Sequence, residues 1–230
     1  MPWFEHRGSS PQVHPTAYVA PTAVLAGDVR VGPDARVLFG AVLTAEDGTV
    51  TIGARCVIME NALVRGRASH PARLGDDVMV GPHAHVNGAT VGAGAFLATG
   101  AALFPGAVVG AGAEVRVRAT VQVNTVLPEG SVVPIGWVAV GDPVQVLPPD
   151  RHDDIWAVQR ELDFPGTVYG VPRGTSATEL MTRQTRWFGA HRDDRLLTEG
   201  LPARVPASDG AAPVHRDSLS TGDSPGGGAR

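Results

Sequence analysis

The chain lacks several features that would point directly to a function. It has one cysteine, Cys56, in 230 residues, which excludes an internal disulfide framework and suits a reducing cytoplasm. It has no lysine. All 19 basic residues are arginine, a bias that reads as genomic base composition rather than as a functional signature. They stand against 23 acidic residues, and the formal net charge of −4 argues against a nucleic-acid-binding surface. No G-x-S-x-G, P-loop or C-x-x-C motif occurs. The opening MPWFEHRGSS carries no apolar segment of the signal-peptide kind. Charge is absent from Val86 to Ala113, a run long enough to suggest a membrane span. Seven glycines and Pro105 interrupt it, and no membrane association is expected.

What the chain does have is a repeat. A small residue, any residue, then Val, Leu or Ile recurs every six positions, ending at Val19, Leu25, Val31, Val37 and Leu43. It resumes at Ile52, Ile58 and Val64, then at Leu74, Val80 and Val86, and after one step of five runs from Val91 to Val133, for 19 units in all. A period of six fits neither a helix nor simple strand alternation. It fits short strands joined by corners, three to a coil, in a parallel β-helix. The small and aliphatic residues point inward and the residue between them points out. Gly32, Gly53, Gly75, Gly81, Gly92 and Gly110 follow aliphatic positions, where a corner is expected to need permissive backbone angles.

The repeat breaks between Leu43 and Ile52 and between Val64 and Leu74, which predicts two loops bulging from corners. Three rungs per coil stack Leu43, Val64 and Val86, so Thr44, Arg65 and Asn87 form one column. Glu60 lies beside Pro82 in another. The β-helix is expected over residues 13–147 and a C-terminal helix over 148–170, with Asp150 as N-cap and Ile155, Val158 and Leu162 on its apolar side. A weakly helical extension, centred on Ala177 to Phe188, fills 171–201. The tail 202–230, rich in Gly, Pro, Ser and Asp, reads as disordered.

With its two corner loops, lone five-residue step and closing helix, this pattern resembles the γ-class carbonic anhydrases over about residues 13 to 165. The resemblance implies an all-β, left-handed parallel β-helix that forms a homotrimer. It further implies zinc held between subunits by three histidines, with zinc-bound hydroxide hydrating carbon dioxide. The family's R-G-D falls where this chain has Thr44, Ala45 and Glu46, and its Q-D-N where this chain has Met59, Glu60 and Asn61. The three zinc ligands fall on Arg65, Pro82 and Asn87. Arginine stays protonated, proline has no side-chain donor, and an asparagine oxygen is a poor zinc ligand. No cofactor is therefore expected, and zinc only if its ligands have relocated, to His70, His83 and His85.

Three readings stay open. The first is a pseudoenzyme, structural or small-ligand-binding, in which Arg65 pairs with Glu46, Glu60 or a neighbouring carboxylate, or joins Asn87 and His85 around a small anion. The second is a hexapeptide-repeat acetyltransferase-like enzyme that binds acyl-coenzyme A and uses His83 or His85 as base. The third is an active anhydrase with the relocated ligands. Cys56 reads as inert core, and Trp137 and Trp156 as packing anchors.

Overall fold

The computed structural model describes residues 2–197. It is a parallel β-helix of the left-handed hexapeptide type, with one ten-stranded and two seven-stranded sheets to which successive coils contribute strands in turn. The inward positions fill the core: Ala84 and Val86 are fully buried while His85 between them is only partly so. Each aliphatic side chain stacks on its equivalent one coil away, as Leu43 on Val64 on Val86 and Ile58 on Val80. The result is a continuous apolar column whose neighbours are always the next coil. Cys56 is fully buried in it.

The coil begins earlier than the repeat suggests. Trp3–Glu5 pairs in parallel with Val24–Ala26, and Gln12–Val13 with Val29–Val31. At the other end Val138–Val140 turns back into an antiparallel hairpin with Gln145–Leu147. The two expected loops separate Val42–Ala45 from Val50–Ile52 and Leu63–Gly66 from Ala72–Leu74.

The corner glycines serve a purpose other than the expected one. None of Gly32, Gly53, Gly75, Gly81, Gly92 and Gly110 has a positive φ; a Cβ at each would instead strike the backbone of the next coil at 2.4 to 2.8 Å. The left-handed residue comes two positions later, at Asp34, Arg55, Asp77, His83, Gly94 and Gly112. Stacking distance, not backbone freedom, selects glycine at the earlier position.

The C-terminal segment runs back along the ten-stranded sheet. Helix α1 (His152–Gln159) starts after Arg151, with no side-chain cap. The expected Asp150 cap is not formed, because the Arg151 N–H donates to Pro148 O in a turn and sets the helix start one residue later. Ile155 packs with Val140 and Leu147, joined by Val158 and Leu162. Trp156, 52% exposed, does not anchor packing as expected; Trp137 does pack against the core.

The single helix expected over 148–170 is two, because Asp163 adopts left-handed angles and caps a new helix, α2 (Phe164–Tyr169). Helix α3 (Ala177–Phe188) spans the expected residues, with Ser176 accepting from the Glu179 N–H at 3.2 Å. A 3₁₀ turn, Gly189–Asp193, leads to strand Arg195–Leu196, which pairs antiparallel with Trp3–Glu5. Residues 198–201 and the tail 202–230 lie outside the described residues. Among the described residues no helix is long and apolar enough to cross a membrane.

Candidate functional site

Thr44, Arg65 and Asn87 occupy one column on three adjacent strands. At its edge stands Glu46, a carboxylate only 3% exposed. Thr44 Oγ1 donates to Glu46 Oε1 at 3.1 Å, and Arg65 Nε lies 3.6 Å from the same oxygen. The Arg65 guanidinium also sits over the Phe188 ring, 5.6 Å from its centroid. Of the carboxylates weighed for Arg65, the chain supplies Glu46.

Three buried polar atoms here have no hydrogen-bond partner: Arg65 Nε, Asn87 Oδ1 and His85 Nε2. His85 lies opposite Leu63 on the adjoining strand, with the Phe104 ring 6.4 Å away. Burial, aided by the charge of Arg65, lowers the His85 pKa, so its imidazole is neutral at neutral pH. Orphaned buried groups are rare in folded proteins, and clustered ones point to a ligand or a partner surface.

The other candidates lie elsewhere. His83 is exposed on a corner with φ of 56°, so it shapes the turn. Pro82, Met59 and Glu60 are partly exposed, and Asn61 is a left-handed corner residue whose side chain rests over Gly40. His70 packs over Gly88 in its loop, and burial and the charge of Arg67 lower its pKa. Within the chain, His70, His83 and His85 do not form a group able to share a metal ion; among the described residues, that property falls to His6, His191 and Asp194.

The repeat gives no sign of this second cluster. His191 bridges two carboxylates: its Nε2 lies 3.0 Å from Glu46 Oε2 and its Nδ1 lies 2.8 Å from Asp194 Oδ2. With a carboxylate beside each ring nitrogen, the site favours the protonated ring over the neutral one. Burial works to lower the His191 pKa, but Asp194 and Glu46 outweigh it and the pKa is raised. Asp194 is likewise opposed by burial yet held below the usual carboxylate range by the two histidines. His6, only 1% exposed, places Nδ1 2.5 Å from Asp194 Oδ1 and accepts from Arg7 Nε at 3.2 Å. Its ring stacks on that of His191 at 4.3 Å with an interplanar angle of 21°.

By donor type these three residues suit a divalent ion. Their arrangement suits it less. An ion binds in the plane of an imidazole, and two nearly parallel rings cannot both direct lone pairs at one point. The cluster is better described as a clasp of hydrogen-bonded charges that fixes Gly189–Leu196 across the first coils. Sequence could not reveal it, because 188 positions separate His6 from Asp194 and 145 separate Glu46 from His191.

Several known proteins are similar to this chain. Gamma carbonic anhydrase 1, mitochondrial, of Arabidopsis thaliana is 36% identical over 88 residues, 36% of this chain and 32% of the relative. Carnitine operon protein CaiE of Escherichia coli is 32% identical over 95 residues, 41% of this chain and 48% of the relative. The chain thus matches between about a third and a half of the length of these relatives. Among solved structures, a hexapeptide transferase family protein from Anaplasma phagocytophilum aligns at 21% identity and TM-score 0.43, covering 81% of this chain and 92% of that one. UDP-N-acetylglucosamine O-acyltransferase of Moraxella catarrhalis aligns at 13% identity and TM-score 0.40, covering 84% and 98%. No family model matches the chain.

Proposed function

We propose that this protein is a γ-carbonic-anhydrase-like pseudoenzyme of the cytoplasm: a homotrimer that works without zinc and binds a small carboxylate-type anion in the cleft between subunits. The observation that carries this reading is the cluster of three buried polar atoms without a hydrogen-bond partner, on Arg65, Asn87 and His85. Arg65 Nε and, in its Nε2–H tautomer, the His85 ring supply donors for a planar oxyanion, and Asn87 joins them with its amide N–H2 once its side chain is flipped, since Oδ1 as placed accepts. By the family resemblance the same column lies at a subunit boundary, so a neighbouring chain would close the cleft over the ligand.

The positions that the resemblance gives to zinc do not fit zinc. Arg65 is permanently cationic and engaged with Glu46 and Phe188. Pro82 offers no donor atom, and Asn87 alone cannot hold the ion. These three residues give zinc no ligand set able to generate a bound hydroxide.

The test is made on protein purified without chelators or a histidine tag. Expected are a trimer mass by light scattering, less than about 0.1 zinc per subunit and no hydration of carbon dioxide above buffer. Acetate should produce a thermal shift that Arg65→Gln abolishes. About one zinc per subunit together with hydration activity would overturn the reading. His85→Ala and His191→Ala would then identify which cluster holds the metal.

A further inference from the structure

A cavity of about 830 Å³ lies between the C-terminal segment and the loops that follow Val42–Ala45 and Leu63–Gly66, and none of Arg65, His85 and Asn87 lines it. Four arginines line it, Arg7, Arg67, Arg183 and Arg186, against two carboxylates, Asp47 and Asp193. This excess of positive charge is unusual in a chain of net charge −4. Among the described residues none of the four arginines makes an ion pair; the ion-paired arginines are all elsewhere.

Three of the four are held by neutral acceptors. Arg67 donates to Val168 O, Arg183 to Gly170 O at 3.2 Å and Arg7 to Trp187 O at 3.3 Å. The Arg67 guanidinium also lies over the Trp187 ring, 4.3 Å from its centroid. A carbonyl or a ring face fixes a guanidinium in place without cancelling its charge. Burial, with the nearby charge of Arg65, accordingly lowers the Arg67 pKa. If these arginines served only to fasten the segment, the charge would be a cost with no return. As a binding site, the same arrangement is a preorganised set of cations.

Size narrows the ligand. A single inorganic ion occupies little more than the volume of a water or two, whereas small-molecule sites typically enclose about 300–1,000 Å³. We propose that this cavity binds a metabolite-sized polyanion carrying at least two phosphate or carboxylate groups, each gripped by a pair of arginines. Guanidinium forks match both groups in bidentate fashion, so phosphates and carboxylates are both admitted.

The full chain is titrated calorimetrically at constant ionic strength with ADP, pyrophosphate and citrate, and with inorganic phosphate and chloride as single-ion controls. Saturable binding of at least one polyanion, one per subunit and with a Kd below about 1 mM, is expected, with the controls at least tenfold weaker. ADP or pyrophosphate alone would assign a phosphoester, citrate alone a polycarboxylate. Arg186 is exposed and its side chain makes no hydrogen bond or ion pair among the described residues, so Arg186→Gln should fold normally; it should weaken binding about tenfold. Arg183→Gln should do likewise. No saturable binding by any of the three probes, or binding unchanged in both variants, would overturn the proposal. Both substitutions lie outside the Arg65 column, so this result stands or falls separately from the acetate experiment.

Discussion

At Gly92 a Cβ would come 2.4 Å from the backbone nitrogen of Ala111, a contact that no side-chain rotation can relieve. Gly92→Ala is therefore expected to destabilise the chain by about 1–3 kcal/mol, read as a lowered midpoint in urea. His83 presents the opposite case. It is an exposed histidine held at φ 56°, a conformation that costs a non-glycine residue about 1–2 kcal/mol. His83→Gly should leave stability unchanged or raise it by up to ~1 kcal/mol. It should also leave acetate binding intact, whereas a ligand or base at position 83 would be lost with the ring. The adjacent-but-one histidines thus divide by backbone geometry: His83 turns the corner, and His85 faces the column of unpaired groups. Sequence alone ranks them together because both stand beside small residues at the same rung.

Among the elements, the segment Gly189–Leu196 depends on charge rather than apolar burial, since it has no buried residue of its own. Its stability should follow pH. His191 is raised above its ordinary 6.5, so its contribution is complete below that value and is lost as pH rises through the folded pKa. Asp194 is depressed below its ordinary 3.8, so its contribution is present above that value and is lost as pH falls through the folded pKa. The clasp, whose other charged members are Glu46, Arg65 and Arg7 with His6 between them, should hold most firmly between 3.8 and 6.5. Amide exchange of residues 189–196, corrected for intrinsic rates, should show protection falling as pH rises above 6.5 while the coils stay protected. His191→Gln should remove that dependence, and a dependence that survives it would assign the effect elsewhere.

This element also marks where reading the sequence stops being sufficient. The coils are legible because Val64 and Val86 each stack on the residue three repeat units away, so counting units encodes the fold even where loops stretch the spacing. Helix α3 is legible as a helical stretch from Ala177 to Phe188, and its Ser176 cap is added by the structure. The meeting of His6, Glu46, His191 and Asp194 has no period and no local motif. It depends on how the segment after α2 returns along the sheet, and Asp163 and Asp194 give no advance notice of that path. The Arg65 column lies in between: its stacking follows from the repeat, but its closure by Phe188 and His191 does not.

For the molecule as a whole, the pairing of Trp3–Glu5 with Arg195–Leu196 has a topological consequence. A solenoid ordinarily has two distant ends, each free to fray. Here the C-terminal segment travels back from the last coil to the first, so positions near 2 and 197 become neighbours and the described chain forms a closed circuit. A circuit can be cut anywhere that is exposed and rejoined at the old seam. A circular permutant that links 197 to 2 through a short glycine-serine bridge and opens between Arg173 and Gly174, both exposed, should keep its thermal midpoint within about 4 °C of the parent, the shift that ~1 kcal/mol gives in a chain of this size. The same cut without the new bridge should cost far more, because the first coil would then lose the strand that seals it.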